Sequence, residues 1–208
     1  MKLSLEMLLQ GDFGKVPKEQ KDIIEKILER SKILIVLVED LLHMAEIEGK
    51  GQAYGLARVS IADLIDSVIS FEKEEIKDKK IKFQLEKPGT KIPEIMLNKE
   101  KIFLAIQNIL DNAIKYTPAG GRIRLSLNNN GKEIEIKVED SGIGIKEEDK
   151  KKVFTKFFRG SNAAKMQTVG SGLGLFIAKS IVEEHNGKIK FKSKENQGST
   201  FFVSLPVK

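Results

Sequence analysis

The chain has 208 residues, 40% hydrophobic and 32% charged, which fits a soluble globular protein of one good-sized domain plus a smaller element, or two small domains. Its 36 basic and 30 acidic residues give a net charge of +6. That charge does not point to nucleic acid, because lysines and glutamates intersperse along helical segments such as EKEEIKDKK and no basic run is interleaved with aromatics. The absence of Cys excludes disulfides, thiolate chemistry and Cys-ligated zinc; no apolar run nears the ~18 residues of a membrane span, so a cytoplasmic chain is expected.

Leu3 to Gln10 reads as the end of a helix, stopped by Gly11-Asp12-Phe13-Gly14. Pro17 suits a first helical turn, and a long helix is predicted from Lys18 to about Ile47. Heptad counting puts Ile24, Ser31, Val38 and Ala45 at one core position and Ile27, Leu34 and Leu41 at the other. Leu28, Ile35 and Leu42 widen this stripe on one flank; Ile23, Leu37 and Met44 widen it on the other. The face is broader than a two-stranded seam, so a helical hairpin dimerising as a four-helix bundle is expected. Gly49-Lys50-Gly51-Gln52 reads as a hinge where the composition changes. The predicted division is a hairpin over 1–48, a hinge over 49–53 and an α/β domain over 54–208.

Tyr54 to Val59 is predicted as a short strand, followed by a helix capped by Ser60 and running from Ile61 to about Lys79. Ile81 to Leu85 alternates as a half-buried strand, and Glu94 to Leu97 is another short one. Asn98 is an N-cap for a helix that runs through QNILDNAIKY and ends at Thr117-Pro118-Ala119-Gly120-Gly121. Arg122 to Leu127 and Glu133 to Val138 form a hairpin, with Asp140-Ser141-Gly142-Ile143-Gly144 as a turn beyond it. Val153 to Arg159 is aromatic, and Ser161 to Thr168 is small and polar. Gly170-Ser171-Gly172-Leu173-Gly174-Leu175 opens a helix to about His185, and Lys188 to Lys192 with Ser199 to Leu205 closes the chain as a hairpin. The predicted fold class is α+β: a two-layer α/β sandwich with a mixed, mostly antiparallel sheet and helices on one face.

Chemistry enters at Asn108 and Asn112. Four residues apart, they stack on one helix face, with Lys115 and Tyr116 just after them. Two carboxamides without negative charge suit a metal ion and phosphates, although an isolated pair reads more readily as two solvated positions on an amphipathic helix. Asp140, beside glycines, accepts hydrogen bonds only and could take the exocyclic amine of adenine, with Gly142 and Gly144 letting the backbone approach a flat ring. Taken alone, DSGIG is also an ordinary turn. The loop from Gly170 feeds a helix start, where free N–H groups and the dipole favour phosphate. It lacks the preceding strand of a dinucleotide fingerprint and the Gly-Lys-Ser/Thr of a Walker loop. Arg159 is a phosphate clamp or a surface arginine.

Together, in order and spacing, these segments resemble the catalytic, ATP-binding domain of sensor histidine kinases, within the Bergerat-type ATPase superfamily. NILDNAIKYTPAGG is similar to the N box, VEDSGIGI to the G1 box, VFTKFFRG to the F box and GSGLGLFIAKSIVEEHNG to the G2 box; QGSTFFVSLP resembles the closing strand. The hairpin resembles the latter part of the dimerisation and histidine-phosphotransfer domain. The resemblance implies ATP and Mg2+ as bound groups, with Asn112 on the metal and Asn108 near the γ-phosphate. Lys115 and Tyr116 would meet phosphates or ribose. Asp140 would read the adenine amine, supported by Gly144 and Thr200. Arg159 and the N–H groups around Gly172, Leu173 and Gly174 would hold phosphates, and Ser161 to Val169 would form the lid. The same boxes place Gly142, Ile145, Phe158, Gly170, Ser171 and Leu175 among the nucleotide-binding positions.

The implied activity is transfer of the γ-phosphoryl group to a histidine, for relay to an aspartate on a response-regulator receiver domain, in a homodimer. The family's acceptor segment, a histidine in a His-Glu/Asp-x-x-Thr/Asn-Pro context, is absent from the sequence and would precede Met1; His43 and His185 lack that context. The chain is therefore expected to bind Mg-ATP without phosphorylating itself, its parent kinase being soluble or membrane-anchored. The alternatives are an ATPase of the same superfamily or a nucleotide-dependent dimeric interaction module. In the ATPases a glutamate four residues before the metal asparagine serves as base. Here Asn108 stands there and takes no proton at neutral pH.

Overall fold

Ile102, Ala105, Ile106, Ile109, Leu110, Ala113 and Ile114 recur at helical spacing and are all buried, and the helix that carries them, α5, is the centre of the structure. The computed structural model describes residues 2–48, 55–89, 92–161 and 170–207. In chain order the helices are α1 (Lys2–Gln10), α2 (Lys18–Glu48), α3 (Ile61–Phe71), α4 (Lys73–Asp78), α5 (Lys99–Tyr116) and α6 (Gly174–Glu184). The strands are β1 (Ala57–Val59), β2 (Lys82–Glu86), β3 (Ile95–Leu97), β4 (Arg122–Asn129), β5 (Glu133–Asp140), β6 (Lys188–Lys194) and β7 (Gly198–Pro206). The predicted hinge over 49–53, Tyr54 and residues 162–169 of the predicted lid lie outside the described residues.

Five strands form one sheet in the order β2-β4-β5-β7-β6; β2 runs parallel to β4 and the other neighbours are antiparallel. β1 and β3 pair separately as an antiparallel ribbon. Strand side chains alternate between faces, so register decides what each row contributes. One inner row is Leu85, Leu125, Val138, Phe201 and Phe191; another is Leu127, Ile136, Val203 and Ile189. These rows and the buried faces of α3, α5 and α6 form one core, the two-layer mixed sandwich expected. Strand β6 ends the sheet with Lys188, Lys190, Lys192 and Lys194 all exposed.

Caps fix the helix starts. Ser60 accepts the Asp63 N–H at 3.3 Å, and Asn98 Oδ1 accepts the Lys101 N–H at 3.0 Å. The single helix predicted from Ile61 to about Lys79 is two. The backbone at Glu72 (φ −86°, ψ 1°) leaves the helical region, although its N–H still reaches Val68 and its carbonyl still accepts from Ile76. Neither Gly nor Pro marks that break, so nothing in the local sequence announces it. The Lys79 ammonium caps the far end of α5, donating to the Ile114 carbonyl at 2.6 Å and the Lys115 carbonyl at 2.9 Å.

Helix α2 has two apolar faces where one broad face is predicted. Ile23, Ile27, Leu34, Ile35, Val38, Leu41 and Leu42 are exposed, from 40% to 63%. Val36, Leu37 and Met44 are half-buried on the other side, and Met44 packs on the sandwich core. Val36, Asp40 and Met44 are four apart and share one helix face, so Met44 belongs with the sandwich, not with the outer stripe.

Candidate functional site

Asp140 is the last residue of β5, not a residue beyond the strand, and register sets it in the end row of the inner sheet face with Ile123 and Ser199. Its Oδ1 accepts the Gly142 N–H at 2.8 Å and the Ser199 N–H at 3.2 Å. Oδ2 is left unengaged among the described residues, and the side chain lines a cleft of about 1090 Å³ including its open mouth. Burial pushes the carboxyl up to about 6, opposed by those two backbone donors.

The predicted support from Thr200 is not there. Thr200 pairs with Glu139 and Lys192 on the opposite sheet face, whereas Ser199 and Phe201 line the cleft. The glycines of the turn also act differently from the expectation. A Cβ at Gly142 would stand 2.5 Å from the Tyr116 carbonyl, and one at Gly144, where φ is +63°, would stand 2.0 Å from the Lys194 carbonyl. Both glycines seat the turn against the protein's own backbone; Gly144 lines the cleft and Gly142 does not. Ser193, unmarked in the sequence, ties the turn to the closing hairpin: its Oγ accepts the Ile145 N–H at 2.8 Å and donates to the Gly198 carbonyl at 3.0 Å.

Helix α5 supplies the next wall with Asn108, Asp111, Asn112, Ala113, Lys115 and Tyr116. The Asn112 Nδ2 donates to the Asn108 carbonyl one turn back at 2.7 Å, which leaves its Oδ1 as the atom available to a ligand. The Asn108 Nδ2 is buried and has no partner among the described residues. A carbonyl oxygen for a hard cation beside an unsatisfied donor for an anion is the chemistry that a metal-bound phosphate requires, so these residues fit both groups. Lys115 also faces the cleft, but its ammonium is paired with Asp111 at 2.7 Å. Asp111 lies close to Glu72 and Glu75, with ligand oxygens within 4.8 Å of one another. Burial first, then Asp111, pushes buried Glu72 up to about 7.

Phe158, Arg159, Gly170, Ser171, Gly172, Gly174, Leu175 and Ile145 also line the cleft. Gly172 has φ +76°, and a Cβ there would stand 2.7 Å from the Phe157 backbone, so glycine loop and aromatic segment are seated together. Leu173 does not line the cleft; its side chain is in the core, and its N–H donates to Ser171 Oγ at 3.0 Å. Two residues come from an element that the sequence reading leaves out of the site, Val36 and Asp40 of α2. Their only local signal is a polar residue on a half-apolar helix face.

The two histidines sit apart from this chemistry. His185 caps α6: Nδ1 bonds the Ile181 carbonyl at 2.8 Å and Nε2 accepts the Asn98 N–H at 3.1 Å, which assigns the neutral Nδ1–H form and a structural role. His43 on α2 is half-buried, and its Nδ1 is buried without a partner among the described residues.

Residues 97–208 match the family described as histidine kinase-, DNA gyrase B-, and HSP90-like ATPase. The chain is 34% identical over 182 residues to the sensor-like histidine kinase SenX3 of Mycobacterium tuberculosis (strain ATCC 25618 / H37Rv), covering 88% of this chain and 44% of that protein. The chain thus spans less than half the length of this relative. Among solved structures, the catalytic domain of histidine kinase ThkA is 30% identical with a TM-score of 0.63, covering 73% of this chain and 97% of that one. Full-length ShkA in complex with AMPPNP is 25% identical with a TM-score of 0.75, covering 97% of this chain and 42% of that one. Four separated segments that meet in one cleft thus have the order, the fold and the kin of a single group, and the chain belongs to the histidine kinase-, DNA gyrase B- and HSP90-like ATPase family as a sensor histidine kinase catalytic domain.

Proposed function

We propose that the chain binds Mg-ATP in this cleft and presents its γ-phosphoryl group to a histidine on a hairpin related to α1 and α2, for relay to a receiver-domain aspartate. In this reading residues 1–48 are part of the dimerisation and phosphotransfer hairpin, and residues 54–208 are the catalytic domain. The observation that supports it best is the meeting of Asp140, the Asn108–Asn112 pair, Arg159 and the glycine loop around one cleft.

Asp140 accepts the adenine amine, with its other oxygen already held by Gly142 and Ser199. Asn112 offers Oδ1 to magnesium, Asn108 offers its unsatisfied Nδ2 to a phosphate oxygen, and Arg159 adds a fixed positive charge. Bound magnesium neutralises phosphate charge, and the protein's share in such a transfer is mostly positioning. Asn108 cannot take a proton from water, so hydrolysis is slow and the acceptor brings its own base.

Calorimetry with Mg-ADP and Mg-ATP tests the site. Binding is expected in the micromolar range of ~1–100 μM, abolished in Asn112→Ala and weakened in Asp140→Asn; unchanged binding in both would remove the assignment. Incubation with γ-labelled ATP should leave the chain alone without acid-labile label, because the buried Nδ1 of His43 and the capping role of His185 offer no acceptor. A fragment bearing an acceptor histidine on a matching hairpin should become labelled when mixed with it.

A further inference from the structure

The cleft has a wall that its four sequence segments do not provide. Helix α2 places Val36 and Asp40, one turn apart, in the lining of the cleft, with Asp40 against the glycine loop. The Asp40 carboxylate accepts a hydrogen bond from the Ser171 hydroxyl. The Ser171 Oγ in turn accepts the Leu173 N–H at 3.0 Å. A continuous relay therefore runs from α2, through a side chain of the loop, to a backbone donor just ahead of α6.

Two consequences follow from elementary chemistry. An N–H at a helix start is a natural phosphate donor, and here Ser171 already occupies it. A carboxylate also stands at the loop where phosphate charge has to settle, and like charges in a partly desolvated cleft repel strongly. The position is already unfavourable for the ionised acid. Burial raises the pKa of Asp40, and Glu39 adds to this; the Ser171 hydrogen bond, His43 and Lys115 act against it. Releasing Asp40 to water removes that penalty. Met44 holds α2 down by packing on the sandwich core and Val36 lines the cleft beside it, so the charged group is the element of this interface that a polyphosphate opposes.

We propose that Asp40 is a latch: by engaging Ser171 it lets α2 dock over the nucleotide cleft in a form that disfavours polyphosphate, so docking of α2 and nucleotide binding compete. The proposal rests on the reading of the cleft as a nucleotide site. Because coupling is reciprocal, nucleotide weakens the docking of α2 by the same factor as α2 weakens nucleotide binding. The latch makes occupancy of the cleft readable at the hairpin, and the state of the hairpin readable at the cleft.

The full chain, Asp40→Asn and Asp40→Ala are titrated calorimetrically with ADP and with AMPPNP, each with and without Mg2+, at low and high salt. Both variants should bind about tenfold more tightly, with the advantage shrinking at high salt as the repulsion is screened. The sequence has no cysteine, so Asp40→Cys combined with Ser171→Cys introduces the only two thiols. Oxidation should cross-link them in the free chain, and saturating ADP should slow that reaction severalfold. Equal or weaker binding by both Asp40 variants overturns the latch, as does a loss of binding that appears only with Mg2+, which would make Asp40 a metal ligand. Cross-linking at a rate indifferent to ADP overturns it as well, because α2 and nucleotide then do not compete. If the unsubstituted chain and every variant fail to bind nucleotide, the nucleotide reading falls and the latch with it.

Discussion

At the scale of single residues, the proposed role of Asp140 gives the cleft a pH response. Its carboxyl titrates at about 6, and only the ionised form offers a full acceptor to an adenine amine. Affinity for ADP should therefore fall as pH drops through about 6, while Asp140→Asn, already weak, should show a flat profile; calorimetry across that range decides it. Glu72 affects stability. Its folded value of about 7 lies above its ordinary 4.5, so its favourable contribution is full below 4.5 and is lost as pH rises through about 7. Glu72→Gln should raise the unfolding free energy by up to ~3 kcal/mol near pH ~8 and change little near pH ~5, as read from urea denaturation. The placing of Asp140 and the asparagines in one cleft is legible once the four segments are read together; residue type and spacing alone leave each of them open to a bland reading. That Ser199 and Phe201, not Thr200, face the cleft is not legible, because a shift of one position in a strand changes faces and only the pairing fixes the phase.

Among elements, the join between α5 and α6 carries a large share of the site's rigidity. His185, at the end of α6, accepts the N–H of Asn98, and Asn98 caps the start of α5. A buried imidazole thus fixes the two helices that bear the asparagine pair and the glycine loop. His185→Ala should cost ~2–4 kcal/mol of stability in denaturant titration, since it strands a buried donor and opens a cavity. Loss of nucleotide affinity should accompany it if the helices shift. Helix starts and turn positions follow from caps and glycines, and the chain obeys them. Two features escape a local reading. The break at Glu72 has no breaker residue; it coincides with a side chain buried near Asp111, a tertiary contact. The second face of α2 is hidden because Met44 fits the flank of a heptad stripe as well as it fits a contact with the sandwich.

For the whole molecule, the exposed stripe of α2 is the feature that most demands a partner. Leu34 is 63% exposed, Val38 54% and Leu42 60%, on a helix about 46 Å long at ~1.5 Å per residue. Such a surface is costly to leave in water, and a second copy of the hairpin would cover it. The unsubstituted chain should sediment as a dimer, and Leu34→Glu with Val38→Glu should sediment as a monomer with unchanged ADP affinity; analytical ultracentrifugation beside calorimetry checks both. Among the described residues no helix is long and apolar enough to cross a membrane.

The sheet, by contrast, discourages association. Strand β6 is an edge, and along it Lys188, Lys190, Lys192 and Lys194 all stand exposed on one side. A second copy of that strand laid alongside would bring eight ammonium groups together, so repulsion guards backbone groups that would otherwise template further pairing. The guard is ionic, and its range is the Debye length, ~10 Å at ~0.1 M salt and ~3 Å at ~1 M. Colloidal stability of this protein should accordingly decline with added salt, and a concentrated stock keeps best at low ionic strength, below its isoelectric point near 9.3.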